Sequence, residues 1–86
     1  MSSAATNDWF VYLIACGDGS LYTGITTDLA RRLQAHVQGR GARYTRGRGP
    51  LSLLGSLGPF PHGEALRVEA QLKRLTPAAK RARFGV

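Results

Sequence analysis

The chemical possibilities of this chain rest on five side chains: Tyr12 and Tyr22, ten residues apart; Arg32 and His36, four apart; and Glu69, much later. A phenol can orient a water molecule, or take its proton once ionised, although an ordinary tyrosine titrates near 10 and is a poor base at neutral pH. A guanidinium can neutralise charge developing on a phosphate. An imidazole can touch phosphate or relay a proton. A carboxylate can hold a divalent cation. Each residue also has a plainer reading. Half-buried strand tyrosines are usually core residues with a bonded hydroxyl. Arg32 can lay its aliphatic stem on apolar surface. His36 can be a core histidine, and Glu69 can pair with Lys73 one turn on.

Several chemistries are excluded. The chain has five acids, and Asp8, Asp18 and Asp28 fall in a tail, a turn and a helix cap. Two-metal phosphoryl transfer needs a cluster of carboxylates holding ions about 4 Å apart, which this chain cannot assemble. One metal on one glutamate is the most it supports. No serine or cysteine has a convincing base, and there is no phosphate-binding Walker loop. The single cysteine, Cys16, excludes an internal disulfide and a cysteine zinc cage.

The elements that must position these residues can be read from pattern. Trp9 to Ala15 is aromatic, β-branched and apolar, as in a strand covered on both faces. Asp18-Gly19 suggests a tight type I′ hairpin turn. Ser20 to Ile25 returns, with Leu21, Thr23 and Ile25 on one face and Tyr22 and Gly24 on the other. A glycine in a strand often marks close approach by another group. Thr26-Thr27-Asp28 offers caps for a helix to about Gln38, which Gly39 stops. Leu29, Leu33 and Val37 form its apolar stripe, with His36 between the leucines, Arg32 on the flank and Arg31 in solvent.

Residues 39–50, GRGARYTRGRGP, hold four glycines and four arginines around Tyr44 and read as a long loop that buries little. Leu51 to Leu57 is a third strand, broken by Gly58-Pro59-Phe60-Pro61. A helix from about Glu64 to Leu75 carries an apolar arc of Ala65, Leu66, Val68, Leu72 and Leu75, with Glu69 inside it. A carboxylate is seldom placed there without a partner. Thr76-Pro77 starts a last short helix. The order is β-β-α-β-α-α, an α+β arrangement. Residues 1–8 read as a frayed tail and residues 9–86 as one domain.

Net charge is +7, and ten of the twelve basic residues are arginine. A small, strongly basic, arginine-rich domain suggests a polyanionic partner, most often nucleic acid. No apolar run approaches the ~20 residues of a membrane span, and the N-terminus lacks signal-peptide features, so a cytoplasmic location is expected.

Taken together, VYLI…LYTGIT.DL..RL..H, then GARYTRGRGP, then EALRVEAQLKRL, resemble the GIY-YIG nuclease superfamily, and in particular its small bacterial members. The likeness runs from about Trp9 to Arg83. It implies a three-stranded, mainly antiparallel sheet flanked by helices, and a Mg²⁺- or Mn²⁺-dependent endonuclease acting on DNA by structure rather than by sequence. It also implies roles. Tyr12 and Tyr22 match the motif tyrosines and Gly24 the motif glycine. Arg32 matches the catalytic arginine, His36 the helix histidine and Glu69 the metal ligand. The loop residues Arg40, Arg43, Tyr44, Arg46 and Arg48, with Lys73, would contact nucleic acid. The chain departs from the family at Phe10-Val11-Tyr12, which lacks the glycine, and at Thr23, where isoleucine is usual. No asparagine follows Asn7, where several members use a later one. A binding module without cleavage, or an accessory protein of DNA repair, is the alternative expectation.

Overall fold

The structure, a computed structural model, describes residues 8–86, so the expected frayed tail lies outside the described residues except for Asp8. The elements are β1 (Trp9–Ala15), β2 (Leu21–Thr26), α1 (Leu29–Val37), β3 (Ser52–Phe60), α2 (His62–Lys73) and α3 (Pro77–Phe84), with one 3-10 turn, Arg43–Thr45, between α1 and β3. The strands form one sheet in the order β2-β1-β3, both pairs antiparallel. The expected order and sheet are therefore found.

The central strand explains the unbroken apolar run of β1. Val11, Tyr12, Leu13 and Ile14 are all buried. Alternation along the strand splits them between two cores. On one face Val11 packs with Ala65 and Leu72 of α2, supported by Ile25, Leu57 and Phe84. On the other, Tyr12, Ile14 and Cys16 pack with Tyr22 and with Leu29 and Leu33 of α1. The second face carries the chemistry. Among the described residues no helix is long and apolar enough to cross a membrane.

Four local expectations need correction. The hairpin is not a type I′ turn on Asp18-Gly19. The Gly19 amide donates to the Cys16 carbonyl at 3.0 Å and the Cys16 amide to the Ser20 carbonyl at 2.9 Å. Gly17 and Asp18 are thus the central residues, and Gly19, at φ +88°, supplies the left-handed position that follows. Strand β3 runs on through Gly58 and Pro59 to Phe60 instead of breaking. It lies at a sheet edge, where a missing amide donor is tolerated, and the register slips between the Val11–Leu57 and Trp9–Phe60 pairs. Val37 is 61% exposed, so the inward face of α1 is Leu29, Leu33 and His36. Leu66 and Leu75 are likewise exposed, because α2 turns only Ala65, Val68 and Leu72 to the sheet and ends at Lys73, before Leu75.

Thr23, on the face toward α2, is 2% exposed, and its hydroxyl has no hydrogen-bond partner. A buried, unsatisfied hydroxyl costs about 1–3 kcal/mol. Valine keeps the branched shape without the hydroxyl. Thr23→Val is expected to raise the unfolding free energy by about 1 kcal/mol, read as a higher urea midpoint at unchanged m-value. An unchanged or lower midpoint would mean that the hydroxyl is satisfied in solution.

Candidate active site

The site is built on the pairing of β1 with β2. Tyr12 lies directly across from Gly24. A Cβ at Gly24 would overlap the Tyr12 hydroxyl and crowd the Tyr22 ring, so glycine here lets the Tyr12 phenol lie over the neighbouring strand. Tyr22, two residues before Gly24, shares its face. The Tyr12 and Tyr22 ring centroids are 6.2 Å apart.

Helix α1 closes over this face. Asp28 caps it, accepting from the Arg31 amide at 3.1 Å. That start sets the rotation at which Arg32 and His36, one turn apart, face the tyrosines. Tyr12 Oη lies 2.9 Å from His36 Nε2, and Arg32 Nε donates to the same oxygen over a long 3.5 Å. The His36 ring also meets Tyr22 edge-on at 5.3 Å. Tyr12 and His36 are each 2% exposed, whereas Arg32 is only partly covered.

The loop of residues 39–50 buries more than its composition suggests. Thr45, in the 3-10 turn, is buried, and its Oγ1 lies 2.9 Å from His36 Nδ1. The Ala42 amide donates to the same nitrogen at 3.3 Å, and the Thr45 hydroxyl is 2.9 Å from the Ala42 carbonyl. A Cβ at Gly41 would overlap the His36 ring, so this loop also approaches through a glycine. Tyr44 stacks on Tyr22 at 5.8 Å, and the Arg48 guanidinium lies 4.4 Å over the Tyr44 ring. Arg48 also pairs with Asp18 at 2.5 Å, and its carbonyl accepts from the Gly17 amide. The loop is therefore clamped to the β1–β2 turn. Hydrogen bonds from the Ser20 hydroxyl and amide, with Arg48, hold the Asp18 carboxyl down to about 2.

Burial pushes the Tyr12 hydroxyl above its ordinary value. The Arg32 hydrogen bond pulls it down, while the Tyr22 and Glu69 charges push it further up. Burial, then the Arg32 charge, lowers His36. Phenol and imidazole are both neutral at neutral pH in the free protein. Tyr12 in turn raises Arg32, which stays cationic.

Glu69, on α2, sits near enough for its charge to reach Tyr12. Its carboxylate is 3.3 Å from Lys73 Nζ and its side chain 18% exposed. Among the described residues no three His, Cys, Asp or Glu side chains gather as a metal cage. A single, partly exposed carboxylate nonetheless suits Mg²⁺, which commonly takes one or two protein carboxylates and fills its shell with water and substrate phosphate.

Of the residues singled out from sequence, Tyr12, Tyr22, Gly24, Arg32 and His36 thus form one contact cluster, with Tyr44 stacked at its rim. Glu69 makes no hydrogen bond to it: it belongs to α2, whose apolar residues pack on the other face of the sheet, and its charge is the least of the influences on Tyr12. Arg40, Arg43 and Arg46 are exposed, whereas Arg48 is engaged by Asp18 and Tyr44, and Lys73 by Glu69. Sequence reading missed Thr45 and Ala42. Their only signal was the pair of small residues flanking Arg43-Tyr44 in a loop otherwise made of Gly and Arg.

Comparison with known proteins places the chain in a family. The family model described as the GIY-YIG catalytic domain matches residues 8–82. The UPF0213 protein of Cupriavidus necator is 48% identical over 79 residues, which cover 92% of this chain and 86% of that one. The solution NMR structure of the UPF0213 protein from Bacillus halodurans superposes with a TM-score of 0.56 at 43% identity, covering 90% of this chain and 82% of that one. That of a protein from E. faecalis gives 0.57 at 36% identity, covering 85% and 79%. With a match across nearly its whole length and the tyrosine, arginine and histidine side chains gathered on one sheet face, the chain belongs to the GIY-YIG family of nuclease catalytic domains, in its small bacterial UPF0213 group.

Proposed function

We propose that this protein is a divalent-metal-dependent endonuclease that hydrolyses phosphodiester bonds in DNA, selecting by structure rather than by sequence. The observation that carries this reading is the convergence of Tyr12, His36 and Arg32 on one phenolic oxygen, beside an exposed run of arginines. Arg32 is the group for the scissile phosphate. It is cationic, partly exposed and fixed in direction by Tyr12. Tyr12, neutral in the free protein, orients the attacking water or a phosphate oxygen by its hydroxyl rather than acting as a ready base. Tyr22 walls the site and supports the Tyr12 ring. His36 holds the Tyr12 oxygen. Glu69 would hold a single Mg²⁺ or Mn²⁺. Such an ion supplies Lewis-acid stabilisation of charge on phosphate oxygens.

Arg40, Arg43 and Arg46 are free to follow a phosphate backbone. Binding is expected to weaken steeply with salt, and replacing any one of the three by alanine to flatten the log–log salt slope by about 1. Arg48→Ala is expected to act differently, freeing the loop from Asp18 more than removing a phosphate contact. Equal slopes for all four variants in a fluorescence-anisotropy salt series would contradict that division.

A second reading, a nucleic-acid-binding module or repair accessory that does not cut, draws on the ion pair that Glu69 already makes with Lys73. The deciding experiment incubates the protein with labelled single-stranded, duplex, flap and junction DNA, with and without Mg²⁺ or Mn²⁺. Metal-dependent nicks, strongest on branched substrates, are expected. Tight binding with no metal-dependent product would favour the module. No binding to these DNAs or to RNA would remove both.

A further inference from the structure

His36 is bonded through both ring nitrogens, and the two sides are not equivalent. On the Nδ1 side stand the Ala42 amide at 3.3 Å and the Thr45 hydroxyl at 2.9 Å. An amide can only donate and a hydroxyl can do either. Were Nδ1 protonated, its hydrogen would face the Ala42 N–H. With a lone pair on Nδ1, every group is satisfied. The amide donates to the ring, and the Thr45 hydroxyl gives its single hydrogen to the ring rather than to the Ala42 carbonyl 2.9 Å away, because an oxygen 2.9 Å from an unprotonated Nδ1 has to donate to it. That carbonyl receives the Thr45 amide at 3.1 Å. The ring proton then sits on Nε2, where it points at Tyr12 Oη, 2.9 Å away.

We propose that the Ala42 amide and the Thr45 hydroxyl are positioning groups that lock His36 in its Nε2–H tautomer, so that the Tyr12 oxygen receives two N–H donors and turns its own hydrogen outward. The functional consequence rests on the nuclease reading of the site. Those donors are Nε2–H of His36 and Nε–H of Arg32. A phenol oxygen that accepts twice has its O–H free for a substrate oxygen or a water. With the opposite tautomer, Nδ1–H would donate to Thr45 and the Tyr12 hydrogen would be spent on the imidazole. The loop therefore has a second task besides carrying arginines, since it fixes which way the phenol's hydrogen points. The bare backbone of Gly41 against the ring makes that approach possible.

The tautomer can be measured with no assumption about activity. Long-range ¹H–¹⁵N correlation spectra of the full chain at neutral pH are expected to show His36 Nδ1 as pyridine-type and Nε2 as pyrrole-type. Thr45→Val keeps the shape but removes the hydroxyl. It is expected to shift both nitrogens toward a tautomer mixture and to slow nicking by about ten- to a hundredfold, by analogy with the loss on removing the hydrogen-bond partner that orients a metal-binding histidine. Thr45→Ser is expected to restore both. If the wild-type spectrum shows Nδ1 protonated, the proposal fails whether or not the protein cuts DNA. It also fails if the Thr45→Val nitrogens match wild type. Wild-type-like nitrogens and turnover in Thr45→Val would leave Thr45 a packing residue only. A locked Nε2–H tautomer in a protein that makes no cuts would sink the nuclease reading and leave the tautomer assignment standing.

Discussion

Replacing Arg32 by alanine is expected to slow single-turnover nicking by about 10²–10³-fold while leaving the fold intact. The magnitude is that of removing one preorganised donor from a transition-state charge. Folding survives because Arg32 is only partly covered and its side-chain hydrogen bond to Tyr12, at 3.5 Å, is long. Lysine should not rescue it, since an ammonium lacks the planar fork that can hold Tyr12 and a phosphate together. The substitution carries an independent signature. Arg32 pulls the Tyr12 hydroxyl down and also lowers His36. Its loss should therefore move both titrations upward, Tyr12 by ultraviolet difference spectra and His36 by NMR. Unchanged titrations with unchanged rate would mean that the guanidinium does not work in this cluster.

Glu69→Gln is expected to remove metal-stimulated cleavage altogether. The amide keeps size and helix fit but is a far weaker ligand for a hard dication. The pair lost with Lys73 is an i,i+4 contact to an exposed lysine, worth only a few tenths of a kcal/mol, so the thermal midpoint should hardly move. DNA binding without metal should persist or tighten slightly, because a negative charge has gone from beside the phosphate path. The variant's Tyr12 should titrate a little lower, since the Glu69 charge helps to push it up. Full Mg²⁺-dependent cleavage by a pure preparation of Glu69→Gln would place the metal elsewhere.

How far the sequence could be read depended on the range of each interaction. The face shared by Tyr22 and Gly24 follows from strand alternation. The turn between Arg32 and His36 follows from helix periodicity, and the start of α1 follows from Asp28. All are local rules, and all hold here. Apart from the hairpin turn, a local misreading by one residue, the errors lay where distant residues decide. The Gly- and Arg-rich loop looked empty because its anchors come from far away: Asp18 reaches Arg48 across 30 positions and Tyr22 meets Tyr44. Thr45 is buried only because His36 is brought beneath it. Strand β3 passes through Gly58-Pro59 because it is an edge, which no local pattern reveals. Val37 matched the apolar period of α1 yet lies outside the sheet's reach. The middle motif position, Thr23, was visible as a departure, but its orphaned hydroxyl could be seen only once α2 covered it.

Glu69 shows the same limit from the other side. Its place within an apolar arc marks it as unusual, and the fold keeps it partly covered, with its charge the least of those acting on Tyr12. Pattern alone could not have shown that Lys73 already shares that carboxylate. On the proposed reading a metal at Glu69 would compete with that ammonium, so cleavage is expected to need free Mg²⁺ well in excess of enzyme.

One oxygen atom, the Tyr12 hydroxyl held between His36 and Arg32, is central to the proposed chemistry. Its most direct test compares wild type with Tyr12→Phe, which keeps the ring and the packing, in single-turnover cleavage of a labelled flap substrate with Mg²⁺ and with chelator. Metal-dependent product from wild type, and at least a hundredfold less from Tyr12→Phe at matched DNA binding, is the expected result. Equal metal-dependent product from both proteins would contradict it.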